Sequence, residues 1–182
     1  MELIEALANL EADVDLHVGR LLVLLNAFGE DDGTGAVEGL TKLAKLDFLL
    51  RYPVMLERAL QAKGRSPVSA QVAAYERDSV ESRMVRYRFG PWDHRYREFL
   101  NTLVAKGLAT VSIDGRTISI RLTEAGRGLA VQLADTESFS DVARRAHTIK
   151  QNFDMTATKL MRFIYETFPE VLWFKTNEAI SP

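Results

Sequence analysis

Apolar residues at helical spacing, broken by short polar or glycine-rich runs, organise most of the chain. Leu16 to Phe28 predicts a buried helix, with Leu21, Leu22, Leu24, Leu25 and Phe28 in one wide stripe. "GEDDGTG" ends it with three glycines and no apolar residue. A second helix is predicted from about Val37 to Leu50, its apolar side supplied by Leu40, Leu43, Leu46, Phe48, Leu49 and Leu50. Thr41, Lys42 and Lys45 lie among those residues. Pro53 interrupts the pattern, "VMLERALQA" resumes it as a short helix, and "KGRSPVS" reads as a loop.

The stretch "AYERDSVESRMVRYRF" fits both helical and extended patterns. We read a helix to about Ser82 and then an irregular or extended arginine-rich segment. Gly90 breaks that segment and Pro91 starts a helix, because its fixed φ suits the first turn. From Trp92 onward, Tyr96, Phe99, Leu100, Leu103 and Val104 recur at helical spacing, and Gly107 ends the helix as a left-handed cap. Two alternating runs follow, "ATVSI" and "TISIRL", flanking Asp114-Gly115, a strong hairpin signal. The second run passes into "LTEAGRGLAVQL", where Thr123 is the expected helix cap. The remaining sequence reads as two further helices and a short apolar tail.

A helix, a glycine cap, a two-stranded hairpin and another helix predict a mainly α fold with a small β-hairpin wing. The expected organisation is an N-terminal acidic helical segment over 1–35, a winged-helix core with a helical insertion over 36–135, and C-terminal helices over 136–182. Composition fits that picture. The 182 residues are 47% hydrophobic and 26% charged, enough to bury a sizeable core. There is no cysteine, which excludes disulfides and thiolate metal sites and agrees with a reducing cytoplasm. The start of the chain lacks the basic and apolar regions of a signal peptide, and "LLVLLNAF" is too short to span a bilayer. A cytoplasmic protein that binds no membrane is therefore expected.

The net charge of -2 hides an asymmetry. Between Met1 and Asp32 eight acids face a single base, Arg20, whereas between Arg77 and Arg97 six bases face Asp78, Glu81 and Asp93. Such polarity suits two faces with different partners, or surfaces complementary to each other. Catalytic patterns are not legible. There is no nucleotide loop, no paired-glycine fingerprint, no His-Glu metal motif and no serine on a strand-to-helix elbow. His17, His94 and His147 are scattered and read as surface or half-buried side chains. We expect no catalytic residue, no metal and no cofactor.

The arginine cluster admits two readings. In one, the helix from Pro91 is a recognition helix that carries His94, Arg95 and Arg97 towards a groove, with Arg116 at the wing tip. Arg86 and Arg88 would then lie beside phosphates, with Arg83 a further candidate for contact with DNA or a partner. In the other, Glu81, Asp93 and Glu98 pair with the arginines while Trp92, Tyr87 and Tyr96 pack into a corner set by Gly90 and Pro91. The wing tip "SIDGRT" offers a single base, balanced by Asp114, which favours protein binding or general phosphate contact over sequence-specific reading.

Two strings, "KLDFLLRYP" and "ESRMVRYRFGPWD", together with the "LTEAGR" exit, carry a family resemblance. Over roughly Gly39 to Gln132 the chain resembles the middle component of bacterial ABC three-component systems, the small subunit of Lamassu-type antiphage defence. That resemblance implies a winged-helix accessory subunit, not an enzyme, that joins an SMC-like ATPase to a nuclease-type effector; where the arginines meet phosphates, DNA is a weak, sequence-indifferent contact. "LTEAGR" also occurs in MarR-like and PadR-like repressors, so the alternative is a transcriptional regulator that grips DNA as a homodimer.

Overall fold

The structure, a computed structural model, describes residues 14–29, 35–77 and 95–169. Within them, a mainly helical fold carries a small antiparallel sheet. Helix α1 spans Val14–Phe28, strand β1 Val37–Glu38, α2 Leu40–Arg51 and α3 Pro53–Ala62. A 3₁₀ turn at Pro67–Ala70 leads to the short α4, Ala74–Arg77. Then come α5, Tyr96–Ala105, the strands β2, Ala109–Asp114, and β3, Thr117–Leu122, and α6, Glu124–Ala134. The last two helices are α7, Glu137–Phe153, and α8, Ala157–Thr167.

Helix α1 is the central element. Every residue from His17 to Leu25 is buried, as a helix apolar on nearly all sides requires. It packs against α6 and α7, and also meets α2, α5 and β3. One apolar cluster unites Leu21 and Leu24 of α1 with Phe48 of α2, Phe99 of α5, Ile120 of β3, Ile149 of α7 and Ile164 of α8. The core therefore runs across the positions 35/36 and 135/136 without interruption.

The second helix begins later than its apolar spacing suggests. Val37 and Glu38 form β1, which pairs antiparallel with Ile120 and Ser119 of β3. Gly39 then turns the chain into α2 at φ 90°, a conformation open to glycine, and its N–H donates to the Ile118 carbonyl at 2.7 Å. Pairing with a partner more than eighty positions away overrides the local helical pattern. The sheet order is β1-β3-β2, so the hairpin's second strand is the middle one. Pro53 occupies the first turn of α3, which starts one residue after α2 ends.

The "LTEAGR" string is a structural device in this fold. Gly107 closes α5 with φ 69°, and Thr123 ties that corner to the next helix. Its N–H donates to the Leu108 carbonyl at 3.0 Å and its hydroxyl to the Gly107 carbonyl at 2.7 Å. The same hydroxyl oxygen accepts the Gly126 N–H at 3.0 Å as the N-cap of α6. A Cβ on Gly126 would overlap the Leu108 carbonyl oxygen, so glycine is what lets α6 approach the turn. Arg127 completes the clasp by donating to the Leu122 carbonyl at 3.2 Å.

Arg145 performs a similar task for the 3₁₀ turn. Buried on α7, it donates to the carbonyls of Ala70 and Gln71 at 3.0 and 2.9 Å. Its two terminal nitrogens meet Glu76 at 2.9 and 2.6 Å. That fork holds the segment between α3 and α4 against the helical body.

Candidate partner-binding surface

Helix α5 and the hairpin form one packed unit, anchored from below by buried polar groups. Arg20 of α1 makes a two-pronged contact with Asp47 of α2, Nε to Oδ1 at 2.6 Å and Nη2 to Oδ2 at 2.9 Å. The Tyr96 hydroxyl of α5 donates to the same carboxylate. Asp47 has no exposed surface. Burial pushes its carboxyl up, but the charge and hydrogen bonds of Arg20, with help from the Tyr96 hydroxyl, outweigh that and hold it below the ordinary value. Burial and the Asp47 charge push the Tyr96 phenol well above its usual range. Three helices are thus locked through one carboxylate.

His17 extends the network. Its ring stacks on Phe99 at 5.0 Å, its Nδ1 faces Arg20 Nη1 at 2.9 Å and its Nε2 faces Arg95 Nη2 at 3.3 Å. A neutral imidazole has one acceptor nitrogen, so the tautomer decides which guanidinium it serves. The histidine expected at or near the surface is instead buried between two arginines. Its place on an almost wholly apolar helix was the available signal.

Of the residues expected to form the site, Arg83, Arg86, Arg88, Gly90, Pro91, Trp92 and His94 lie outside the described residues. Arg95 lies half-buried over the Phe99 ring at 5.2 Å and beside His17, turned towards the helical body. Arg97 and Arg116 are exposed. Arg97 stands next to Glu98 in the first turns of α5, and Arg116 stands in the hairpin loop two positions after Asp114. In that loop Gly115 adopts φ 57° while Arg116 does not enter the positive region, the signature of a type II′ connection.

Part of the hairpin and of α5 exposes apolar side chains. On one face of the hairpin Ala109 pairs with Leu122, Val111 with Ile120 and Ile113 with Ile118. Ala109, Leu122 and Ile120 are buried, but Val111 is 39% and Ile113 73% exposed. The hairpin's apolar face therefore continues beyond the core it covers. Val104, on the adjoining helix α5, is 43% exposed. The opposite face carries Thr110, Ser112 and Arg121. A further apolar recess of about 390 Å³ lies between α1 and α6, walled by Leu22, Leu108, Leu129, Leu133 and Phe139.

Among the described residues no group of three or more His, Asp or Glu side chains is placed to hold a metal ion. Among the same residues no helix is long and apolar enough to cross a membrane. Compared with protein-family models, with curated proteins and with solved structures, the chain matches none.

Proposed function

We propose that this protein is a non-catalytic winged-helix subunit that bridges an SMC-like ATPase and a nuclease-type effector in an antiphage complex of the Lamassu kind. The observation that carries the reading is the exposure of the apolar side chains Val104 on α5 and Val111 and Ile113 on the hairpin. A helix and wing that read DNA need polar and basic side chains at those positions. Here the exposed bases Arg97 and Arg116 are offset by Glu98 and Asp114, and the exposed apolar side chains suit a protein partner. The chain order α1, β1, α2, α5, β2, β3, with β1 joined to the outer side of β3, supports a winged-helix assignment, and α3, the 3₁₀ turn and α4 form the insertion.

The experiment is co-expression with an SMC-like ATPase, followed by size-exclusion chromatography at moderate salt. A stable complex of the two chains is the expected result. A free homodimer that ignores the ATPase and binds its own promoter at nanomolar affinity would establish the regulator instead.

A further inference from the structure

Lys45 is the least conventional side chain in the core. It sits on α2 with 3% of its surface exposed. Its ammonium lies over the Tyr165 ring of α8, 5.8 Å from the centroid, and among the described residues it has no acidic partner or hydrogen-bond acceptor. Its neighbour Lys42 is buried too, but meets Asp154 at 3.1 Å, where Lys150 also binds. Among the described residues the other elements packed on α2 place no ion-pair partner on Lys45, the half-buried Glu57 of α3 included. From α1, Arg20 and His17 serve the Asp47 network. From α3, Arg58 stacks on Phe168 at 4.9 Å, and Glu38 of β1 is exposed. On α8 itself Lys159, Arg162 and Glu166 all point to solvent.

Desolvating an ammonium is costly, and one cation–π contact offsets only part of that cost. Helix α8 therefore docks against a penalty that undocking would relieve. Leu160, Ile164 and Phe168, all fully buried, supply the opposing term. We propose that α8 is a detachable cover, weakly held over α2 because its docking traps the Lys45 ammonium without an acidic partner. Lifting it uncovers Lys45 and parts Arg58 from the Phe168 ring.

Burial lowers Lys45 from 10.5 to about 8. Undocked, the amine regains its ordinary value, so between about pH 8 and 10.5 the undocked state holds more protons. Raising the pH through that window favours docking, and lowering it favours release.

The test is amide hydrogen exchange of the full chain, with rates corrected for intrinsic chemistry. At pH 7 the amides of α8 should exchange faster than those of α2 and β3. Lys45→Met should raise protection across α8 by about tenfold or more and leave β3 unchanged. In the wild type, α8 protection should rise by about tenfold from pH 7 to 9, and in Lys45→Met it should stay flat. Unchanged α8 protection in the variant overturns the proposal, and so does an equal rise in every element, which would make Lys45 a general burden on the fold. If Lys45→Met fails to fold, the wild-type pH series decides alone: a flat response overturns the proposal.

Discussion

A single carboxylate, Asp47, joins Arg20 and Tyr96 where water is excluded, and its energetics are asymmetric. Removing one partner leaves a buried charge unpaired, whereas replacing the pair with apolar groups of similar volume removes the penalty with the bond. Asp47→Ala should therefore lower stability by about 3–5 kcal/mol in urea unfolding at neutral pH. An Arg20→Met, Asp47→Leu double variant should recover much of that loss. Equal loss in both would mean that the network does more than hold the helices. The acid response follows from the depressed Asp47 carboxyl. Its contribution is present above the unfolded carboxyl's ordinary 3.8 and disappears as the pH falls through the lower folded value. Unfolding curves between pH 5 and about 2 should show that loss, and Asp47→Asn should be flatter across the interval. Little of this was legible in the sequence. A lone arginine on an apolar helix and an aspartate in "KLDFLLRYP" are conspicuous, but their meeting depends on how α1 crosses α2.

At the scale of elements, local patterns succeeded where an element's partner lies nearby in the chain. The hairpin, the Gly107 cap and the Thr123 cap were readable because glycine, Asp-Gly and threonine act within a few residues of themselves. Val37 and Glu38 were misread as helix because their partner strand is remote, and two residues hold too little pattern to announce a strand. The clasp between α5 and α6 makes a graded prediction. Thr123→Ala removes the cap of α6 and the bond to Gly107, and should cost about 1–2 kcal/mol. Gly126→Ala drives a methyl group into the Leu108 carbonyl and should cost about 2–3 kcal/mol or force α6 outward. Thermal melts of both variants decide the order. If Gly126→Ala proves the milder change, the close approach of α6 to the turn is easily relaxed.

For the whole molecule, the sequence drew attention to charge, and the described surface redirects it to apolar area. Arginines are conspicuous in a string of letters, whereas an exposed isoleucine becomes visible only once pairing assigns its face and the core stops short of it. Val111 and Ile113 read as ordinary inward positions of an alternating strand, and Ile120 and Leu122 of the partner strand do turn inward. What differs is distance along the hairpin, since the core covers its base and leaves its tip bare. This sets two surface variants against each other. Val111→Asp with Ile113→Asp places two charges on the bare tip and should leave stability within about 1 kcal/mol, since both positions are partly or largely exposed. It should nevertheless lower the affinity for a protein partner by at least a hundredfold if that strip is the centre of the interface, about 2.7 kcal/mol. Arg97→Ala with Arg116→Ala should keep most of the protein affinity and instead flatten the salt dependence of any DNA binding, by about two phosphate contacts in the slope. Pull-down against an SMC-like ATPase and fluorescence titration with random and own-promoter duplex DNA at several salt concentrations separate the outcomes. If the aspartate variant keeps its partner while the arginine variant loses sequence-selective DNA binding, the surface reads nucleic acid and the regulator is the correct description. Loss of the ATPase with the aspartates alone assigns the bare hairpin tip to the bridge.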